Sequence, residues 1–138
     1  MTEQQKTQLI QRALEACKQS YSPYSDFCVG AALLAKDGRI FCGCNIENAT
    51  YTPTICAERV ALFTAVYNGA KAFEAIAVVG GPKGDCQQLC PPCGVCRQAL
   101  REFCDDDFEV ILGQENLQYK TYKLSELLPL SFSKNNLG

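Results

Sequence analysis

Three cysteines and one glutamate make up the part of this sequence best suited to chemistry. They lie in two short segments, Cys56-Ala57-Glu58 and Pro92-Cys93-Gly94-Val95-Cys96, in a chain without histidine. Three thiolates can hold a zinc ion and leave its fourth position open to water, whereas a fourth would close the tetrahedron and make the site structural. Glu58 is close enough to move protons without being a ligand. The pattern predicts a zinc-dependent hydrolase with one Zn²⁺ per chain.

The second cysteine pair has two possible registers, because Cys90-Pro91-Pro92-Cys93 is also a Cys-x-x-Cys motif. Two adjacent prolines inside a pair make helical coordination awkward, since proline removes a backbone donor and restricts the preceding residue. Cys93 and Cys96 can instead lie one helical turn apart. We favour this second register and expect Cys86 and Cys90 to be loop thiols.

Two arginines follow the chemical residues directly. Zinc with three thiolates carries an excess negative charge, which weakens the metal as a Lewis acid and raises the pKa of its water. Arg59 follows Glu58 and Arg97 follows Cys96, so we expect both guanidinium groups to lie near the thiolates and donate hydrogen bonds to them. The alternative is a pair of ordinary exposed arginines in first helical turns, where the helix dipole disfavours cations.

Length and composition limit the class of protein. A chain of 138 residues is expected to form one domain, 1–138. Its net charge of −2, with no basic stripe, argues against long nucleic acids as partners. No stretch reaches membrane-spanning length.

The ten cysteines bear on the expected location. The first 19 residues have helical apolar spacing and lack the continuous apolar core of a signal peptide, so we expect a cytoplasmic protein with reduced thiols. A secreted disulfide-rich scaffold is the alternative, but the apolar content is sufficient for a core without disulfides.

The elements that must position these residues follow from periodicity and turn signals. The predicted order is α-β-β-α-β-α-β-β-α, which indicates an α/β fold with a mixed five-stranded sheet between helices, a three-layer α/β/α arrangement. Thr2 and Gln5 suggest a capping box on the first helix, and Asp37-Gly38 a hairpin. The other predicted elements are strands at 27–35, 39–44, 75–79, 108–112 and 117–122, and helices at 56–67, 93–103 and 125–128.

Both zinc segments thus begin helices, where unpaired backbone N–H groups and the helix dipole favour thiolate over thiol. Two helix starts facing each other would build the site. On the first of these helices the pattern favours burial of five side chains: Val60, Ala61, Phe63, Thr64 and Ala65.

The spacing of Cys-x-Glu and Pro-Cys-x-x-Cys matches the signature of zinc deaminases. More specifically, the chain resembles the small cytidine deaminases that assemble as homotetramers, and the match covers nearly its whole length. The matching segments are Tyr21-Ser22-Pro23-Tyr24, Val29-Gly30-Ala31-Ala32-Leu33-Leu34, Cys44-Asn45-Ile46-Glu47-Asn48, Cys56-Ala57-Glu58-Arg59, Pro92-Cys93-Gly94-Val95-Cys96-Arg97-Gln98 and Glu126-Leu127-Leu128-Pro129.

The resemblance implies hydrolytic deamination of cytidine and deoxycytidine, with Glu58 carrying the protons. It also implies that Asn45 and Glu47 bind the sugar hydroxyls; a carboxylate accepts from a hydroxyl and repels a 5′-phosphate. Phe27 would stack on the pyrimidine. Taken alone, Phe27 would more often be a core residue and Asn45-Ile46-Glu47-Asn48 a turn.

Three further roles come from the resemblance alone. The backbone of Ala57 and the carbonyl of Pro92 would hydrogen-bond the base. Tyr51 and Phe132 would close the pocket of a neighbouring subunit, although the surroundings of Phe132 depart from the family pattern.

Three other functions remain to be distinguished. Blasticidin-type nucleoside deaminases share a three-cysteine site and a similar length, but Phe27 and the 45–48 segment favour cytidine. Deaminases that edit RNA or DNA share the zinc motif, but the weak positive charge argues against a polymeric substrate. A binding module with a structural zinc site is the third alternative, but it would need no proton carrier such as Glu58.

Overall fold

A five-stranded mixed sheet forms the centre of the computed structural model, which describes residues 1–138. The elements are α1 (Glu3–Cys17), β1 (Phe27–Ala35), β2 (Ile40–Cys44), α2 (Ala57–Tyr67), β3 (Phe73–Pro82), α3 (Gly94–Phe103), β4 (Glu109–Gly113), β5 (Tyr119–Lys123), α4 (Leu124–Leu127) and a 3₁₀ helix (Lys134–Leu137).

The strand order is β2-β1-β3-β4-β5. Only β3 and β4 are parallel, and α3 connects them; every other neighbouring pair is antiparallel. Gly30 pairs with Cys44 and Phe27 pairs with Pro82. The start of β1 and the ends of β2 and β3 therefore lie together, at the same end of the strands. The predicted α/β fold with a mixed sheet is confirmed.

Helices cover both faces of the sheet and make three layers. The capping box predicted at Thr2 and Gln5 starts α1, which packs Leu9, Ile10 and Ala13 against one face. The other face carries a separate core, to which α2, α3 and α4 contribute apolar side chains. None of the helices has both the length and the apolar character needed to cross a bilayer.

Packing of α2 requires a glycine on the neighbouring strand. A Cβ atom at Gly43 of β2 would lie 2.5 Å from Ala57 O and 2.6 Å from Ala61 N, so the helix backbone rests directly on the strand. At its other end α2 stops at Asn68, whose carbonyl accepts a hydrogen bond from Arg39 Nη1 at 2.9 Å. The hairpin turn at Asp37-Gly38 therefore lies beside the C-terminal end of α2.

The buried face predicted for α2 is wrong in part. Phe63 is 49% exposed and Thr64 is also exposed, whereas Glu58 and Leu62 are buried. Contact with the sheet begins at Ala57 and continues along the stripe that includes residues 58, 61, 62 and 65. Hydropathy alone selected Phe63, but the direction in which the helix crosses the sheet decides which stripe is covered.

Several element boundaries also differ from prediction, the end of β3 by the most. Strand β3 continues to Pro82 instead of ending at Val79, because Gly80 and Gly81 still pair with Val29 and Cys28 of β1. The 3₁₀ helix near the C-terminus was not predicted from the sequence.

Candidate active site

Two helix starts bring the three cysteine sulfurs together. Cys56 and Cys93 are the N-cap residues of α2 and α3, and Cys96 lies in the first turn of α3. All three Sγ atoms lie within 4.8 Å of one another, and those of Cys56 and Cys93 are 3.7 Å apart. Tetrahedral zinc with Zn–S bonds of about 2.3 Å needs sulfurs about 3.8 Å apart. The cluster therefore has the size and donor set for one zinc ion.

One sulfur of the cluster is disposed to carry negative charge. A hydrogen bond from Cys96 lowers the pKa of Cys56 to about 5, with further help from Arg59 and Cys93 and against the effect of burial. The same hydrogen bond and burial raise the pKa of Cys96. Since the thiolate is the form that binds metals, Cys56 offers an anionic donor at neutral pH.

Glu58 is the one buried carboxylate beside the sulfurs. It is 3% exposed, and its Oε1 atom has no hydrogen-bond partner. Burial raises the pKa of Glu58 to about 7, and the negative charge of Cys56 adds to the rise. A carboxyl group with a pKa near the working pH can both accept and return a proton.

The two arginines make different contacts. Arg59 Nη2 donates to Cys56 Sγ at 3.6 Å, while its Nε atom is buried without a partner. Arg97 instead donates through Nε to Pro92 O at 2.8 Å and through Nη1 to Leu127 O at 2.7 Å. Arg59 thus contacts the sulfur cluster, whereas Arg97 joins the loop before α3 to the C-terminal segment.

Backbone pairing places the segment 45–47 next to the zinc segment. Ile46 and Ile55 exchange two backbone hydrogen bonds of 3.0 Å, and Ile55 immediately precedes Cys56. On its other side Ile46 forms a parallel bridge with Tyr21. Asn45 and Glu47, which flank Ile46, are therefore held beside the residue that supplies the first sulfur.

Asn45 is a buried residue that organises the start of β1. Its Oδ1 atom accepts from Val29 N at 2.9 Å and from Ser20 Oγ at 2.5 Å, and its Nδ2 atom donates to Phe27 O at 2.8 Å. An amide nitrogen has two hydrogens, so one N–H remains for a further acceptor. The side chain that the sequence assigns to sugar binding is thus already fixed by three contacts.

Glu47 is held by the turn before β1. Its carboxylate accepts from the backbone N–H groups of Tyr24 and Ser25, at 2.9 and 3.1 Å, and from the Ser25 hydroxyl at 2.5 Å. The hydroxyl contact, followed by the backbone N–H groups, lowers the pKa of Glu47. With Tyr51 and Thr54, Glu47 lines an open cavity of about 350 Å³.

The other predicted binding residues differ in exposure. Ala57 is fully buried, Phe27 is 38% exposed at the sheet edge, and Tyr51 is 70% exposed with its ring 6.0 Å from that of Tyr24. Phe132 is 59% exposed, and its carbonyl accepts from Gln98 Nε2 of α3 at 2.8 Å. Within one chain, Tyr51 and Phe132 both expose their rings.

Sequence reasoning missed the contacts of Ser20 and Ser25, which hold Asn45 and Glu47. The run from Ser20 to Ser25 contains three serines, and its residues 21–24 were used only as a match to the family pattern. Its density of hydroxyl groups is the signal that could have suggested a hydrogen-bonding role.

The fold has three layers, α/β/α, and two of its helices begin at three converging thiols with a buried carboxyl group beside them. This combination defines a zinc-dependent deaminase. Comparison with known proteins makes the class narrower. Residues 3–112 match the model of the cytidine and deoxycytidylate deaminase zinc-binding region. The chain belongs to this family, as the sequence predicted.

Individual relatives cover nearly the whole chain. A cytidine deaminase of Sporosarcina psychrophila is 46% identical over 130 residues, which are 94% of this chain and 93% of the relative. The crystal structure of a cytidine deaminase from Burkholderia pseudomallei superimposes with a TM-score of 0.84 at 42% identity, covering 96% of this chain and all of the other. A blasticidin-S deaminase of Bacillus cereus is 33% identical over 136 residues, 96% of this chain and 95% of the relative.

Proposed function

We propose that this protein is a cytidine deaminase, which hydrolyses cytidine and deoxycytidine to uridine and deoxyuridine with release of ammonia. The observation that carries the proposal is the buried, unpartnered Glu58 carboxyl next to three converging sulfurs. A structural zinc site would have no use for such a group, because burying a carboxyl without a partner costs stability.

Cys56, Cys93 and Cys96 would hold the zinc ion, which when bound supplies a Lewis acid that makes water nucleophilic at neutral pH. Glu58 takes a proton from the attacking water and delivers it to N3 of the cytosine ring. It then takes the remaining proton from the new hydroxyl group at C4 and gives it to the amino group, and ammonia leaves as the C4–N bond breaks and the C4 carbonyl forms. One buried carboxyl group serves every transfer.

The recognition of a free nucleoside rests on the residues around the start of β1. Asn45 has one N–H left for a sugar hydroxyl, and Glu47 presents a carboxylate to the open cavity. A negative charge there accepts from a hydroxyl and repels a 5′-phosphate. Phe27 would stack on the pyrimidine, and the backbone of Ala57 and the carbonyl of Pro92 would bind its polar edge.

Oligomeric state, location and metabolic role are parts of the same proposal. The protein forms a homotetramer in which the exposed rings of Tyr51 and Phe132 complete the site of a neighbouring subunit. Its ten cysteines are all free thiols, which suits a reducing cytoplasm. There the enzyme serves pyrimidine salvage.

The test is an ultraviolet absorbance assay on zinc-loaded protein with cytidine, deoxycytidine, cytidine 5′-monophosphate and blasticidin S, together with a measurement of zinc per chain. We expect both nucleosides to be deaminated and the monophosphate to be a poor substrate. If blasticidin S were deaminated and neither nucleoside were, blasticidin S would be the substrate and the proposed cytidine activity would be wrong. One tightly bound zinc without any deamination would indicate a structural site.

Glu58→Gln separates the proton carrier from the metal site. We expect this variant to keep its zinc and to lose about 10²–10⁴-fold in kcat, the usual contribution of a positioned acid–base group. Glu102→Gln, which changes an exposed glutamate of α3, is the matched control and should be fully active. A wild-type rate in Glu58→Gln would overturn the mechanism.

A further inference from the structure

Two cysteines outside the zinc cluster lie side by side in the interior. Cys17 is the last residue of α1, and Cys86 lies in the loop between β3 and α3, 69 residues further along the chain. Their Sγ atoms are 3.8 Å apart. They are 6% and 1% exposed, so the expectation that Cys86 is simply a loop thiol does not describe its surroundings.

The pair forms part of the wall of a cavity of about 520 Å³ that is separate from the residues of the zinc site. Lys18 and Lys83 line the same cavity, together with Glu115. A water molecule occupies about 30 Å³ of liquid volume, so small polar molecules have room to enter. The two sulfurs are thus buried in the fold but border a space that a small reagent can reach.

The two thiols are not equivalent. The hydrogen bond between their sulfurs lowers the pKa of Cys86, against burial and the charges of Glu115 and Asp85, whereas the same hydrogen bond and burial both raise the pKa of Cys17. The thiolate is the nucleophilic form of cysteine. Cys86 is therefore the sulfur that reacts first, with the protonated Cys17 beside it.

We propose that Cys17 and Cys86 form a dithiol site that a hydroperoxide oxidises to an intramolecular disulfide. In the first step the Cys86 sulfur attacks the peroxide, an S–O bond forms as the O–O bond breaks, and the alcohol or water leaves with the thiol proton. In the second, the Cys17 sulfur attacks the Cys86 sulfur, the S–S bond forms as the S–O bond breaks, and the hydroxyl group leaves as water with the proton of Cys17. Two thiols are oxidised while one hydroperoxide is reduced.

The movement needed is small and falls on a loop. The sulfurs must approach from 3.8 Å to about 2.05 Å. Cys86 follows a tight turn at Lys83 and Gly84, both at positive φ, and its carbonyl accepts a hydrogen bond from Glu115 N at 2.9 Å. The bond would fasten to α1 the segment that continues to the zinc ligand Cys93.

Cys28 is a third thiol in the wall of this cavity and provides the control. It lines the same cavity, but its Sγ atom contacts Ser22 Oγ at 3.4 Å, and no sulfur is within hydrogen-bond distance of it. We expect Cys28 to stay reduced when the other two are joined.

The experiment treats the zinc-loaded protein with hydrogen peroxide, blocks free thiols by alkylation and maps the peptides by mass spectrometry, with zinc measured before and after. We expect a loss of two hydrogen atoms per chain, a peptide that joins Cys17 to Cys86, retained zinc and a higher Tm that a reductant reverses. The proposal fails if both cysteines are alkylated after peroxide has oxidised the zinc ligands, or if Cys86 is joined to Cys90 or to another chain.

Three variants identify the order of events. Cys86→Ser should abolish the disulfide, and Cys17→Ser should leave a sulfenic acid on Cys86 that a cyclic 1,3-diketone traps. Cys28→Ser should form the disulfide as the wild type does. A trapped sulfenic acid on Cys28, or loss of the disulfide in Cys28→Ser, would contradict the assignment.

Discussion

At the scale of single residues, charge balance around the three sulfurs is the central feature. Three thiolates exceed the charge of Zn²⁺ by one, and the Arg59 guanidinium donates to Cys56 Sγ. A hydrogen bond to a ligating thiolate withdraws charge from the sulfur and returns acidity to the metal. Arg97 follows the ligand Cys96 in sequence, but it donates its hydrogen bonds to the carbonyl groups of Pro92 and Leu127.

Arg59→Gln should therefore impair activity or zinc binding, whereas Arg97→Gln should impair stability. We expect Arg59→Gln to lose about 10–100-fold in activity or zinc affinity, the usual effect of removing a group that hydrogen-bonds a metal ligand. Arg97→Gln should instead lower the free energy of unfolding by about 1–3 kcal/mol, because two carbonyl groups lose a charged donor.

Steady-state kinetics, zinc titration and thermal unfolding of both variants would test this distinction. Each variant serves as the control for the other, since both remove one arginine from a first helical turn. Equal losses of activity with no change in stability would show that both arginines act on the metal.

The residues that could be placed from the sequence are those whose chemistry is local. Cys56, Glu58, Cys93 and Cys96 lie in two short motifs, so their convergence needed only the expectation that two helix starts meet. The contact of Ser20 with Asn45 joins residues 25 apart, and the contact of Cys17 with Cys86 joins residues 69 apart. The serine-rich run hints at the first contact without naming its partner, and no signal marks the second, so the fold is needed to identify both pairs.

At the scale of elements, the position of α2 decides where Cys56 and Glu58 lie. The helix touches β2 at Gly43, where a Cβ atom would meet the backbone at 2.5 and 2.6 Å. Element order, the hairpin and the first capping box could be predicted because they depend on local propensity. The buried stripe of α2 could not, because it depends on how the helix crosses the sheet.

Gly43→Ala should displace α2 and disturb the site without changing any residue in it. We expect a loss of about 1–3 kcal/mol in unfolding free energy, the cost of inserting a methyl group into a packed region, and a fall in activity. Gly94→Ala is the control for stability only: nothing lies within 4 Å of a Cβ atom at that position, but the residue follows the zinc ligand Cys93. Chemical denaturation and the absorbance assay measure the two effects, and equal stability of the two variants would refute the packing argument.

At the scale of the whole molecule, the isolated chain leaves large apolar side chains uncovered. Tyr67 is 91% exposed, Tyr51 70% and Phe132 59%. The proposed homotetramer would bury the rings of Tyr51 and Phe132 and divide the site between subunits. Phe132 is attached to α3 through its carbonyl, so its ring can project toward a neighbour.

Mixed tetramers test whether the site is shared. Glu58→Gln and Phe132→Ala should each be weakly active, but co-expressed chains should recover activity. A Phe132→Ala subunit then keeps Glu58 and receives Phe132 from its neighbour; random mixing would restore on the order of one quarter of the sites. Co-expression of Glu58→Gln with Asn45→Ala is the control and should recover nothing, because both defects lie in one subunit's share of the site. Light scattering must show tetramers, and no recovery with Phe132→Ala would exclude its proposed role.

The hairpin turn at Asp37-Gly38 has a practical consequence for labelling this protein. It adjoins the C-terminal end of α2, 11 residues from the N-cap cysteine and thus about 16 Å along the helix axis. A Cβ atom at Gly38 would meet nothing within 4 Å, although its φ of +94° favours glycine there. A fluorophore or surface tether inserted after Gly38 would therefore be attached at the end of α2 opposite the sulfur cluster.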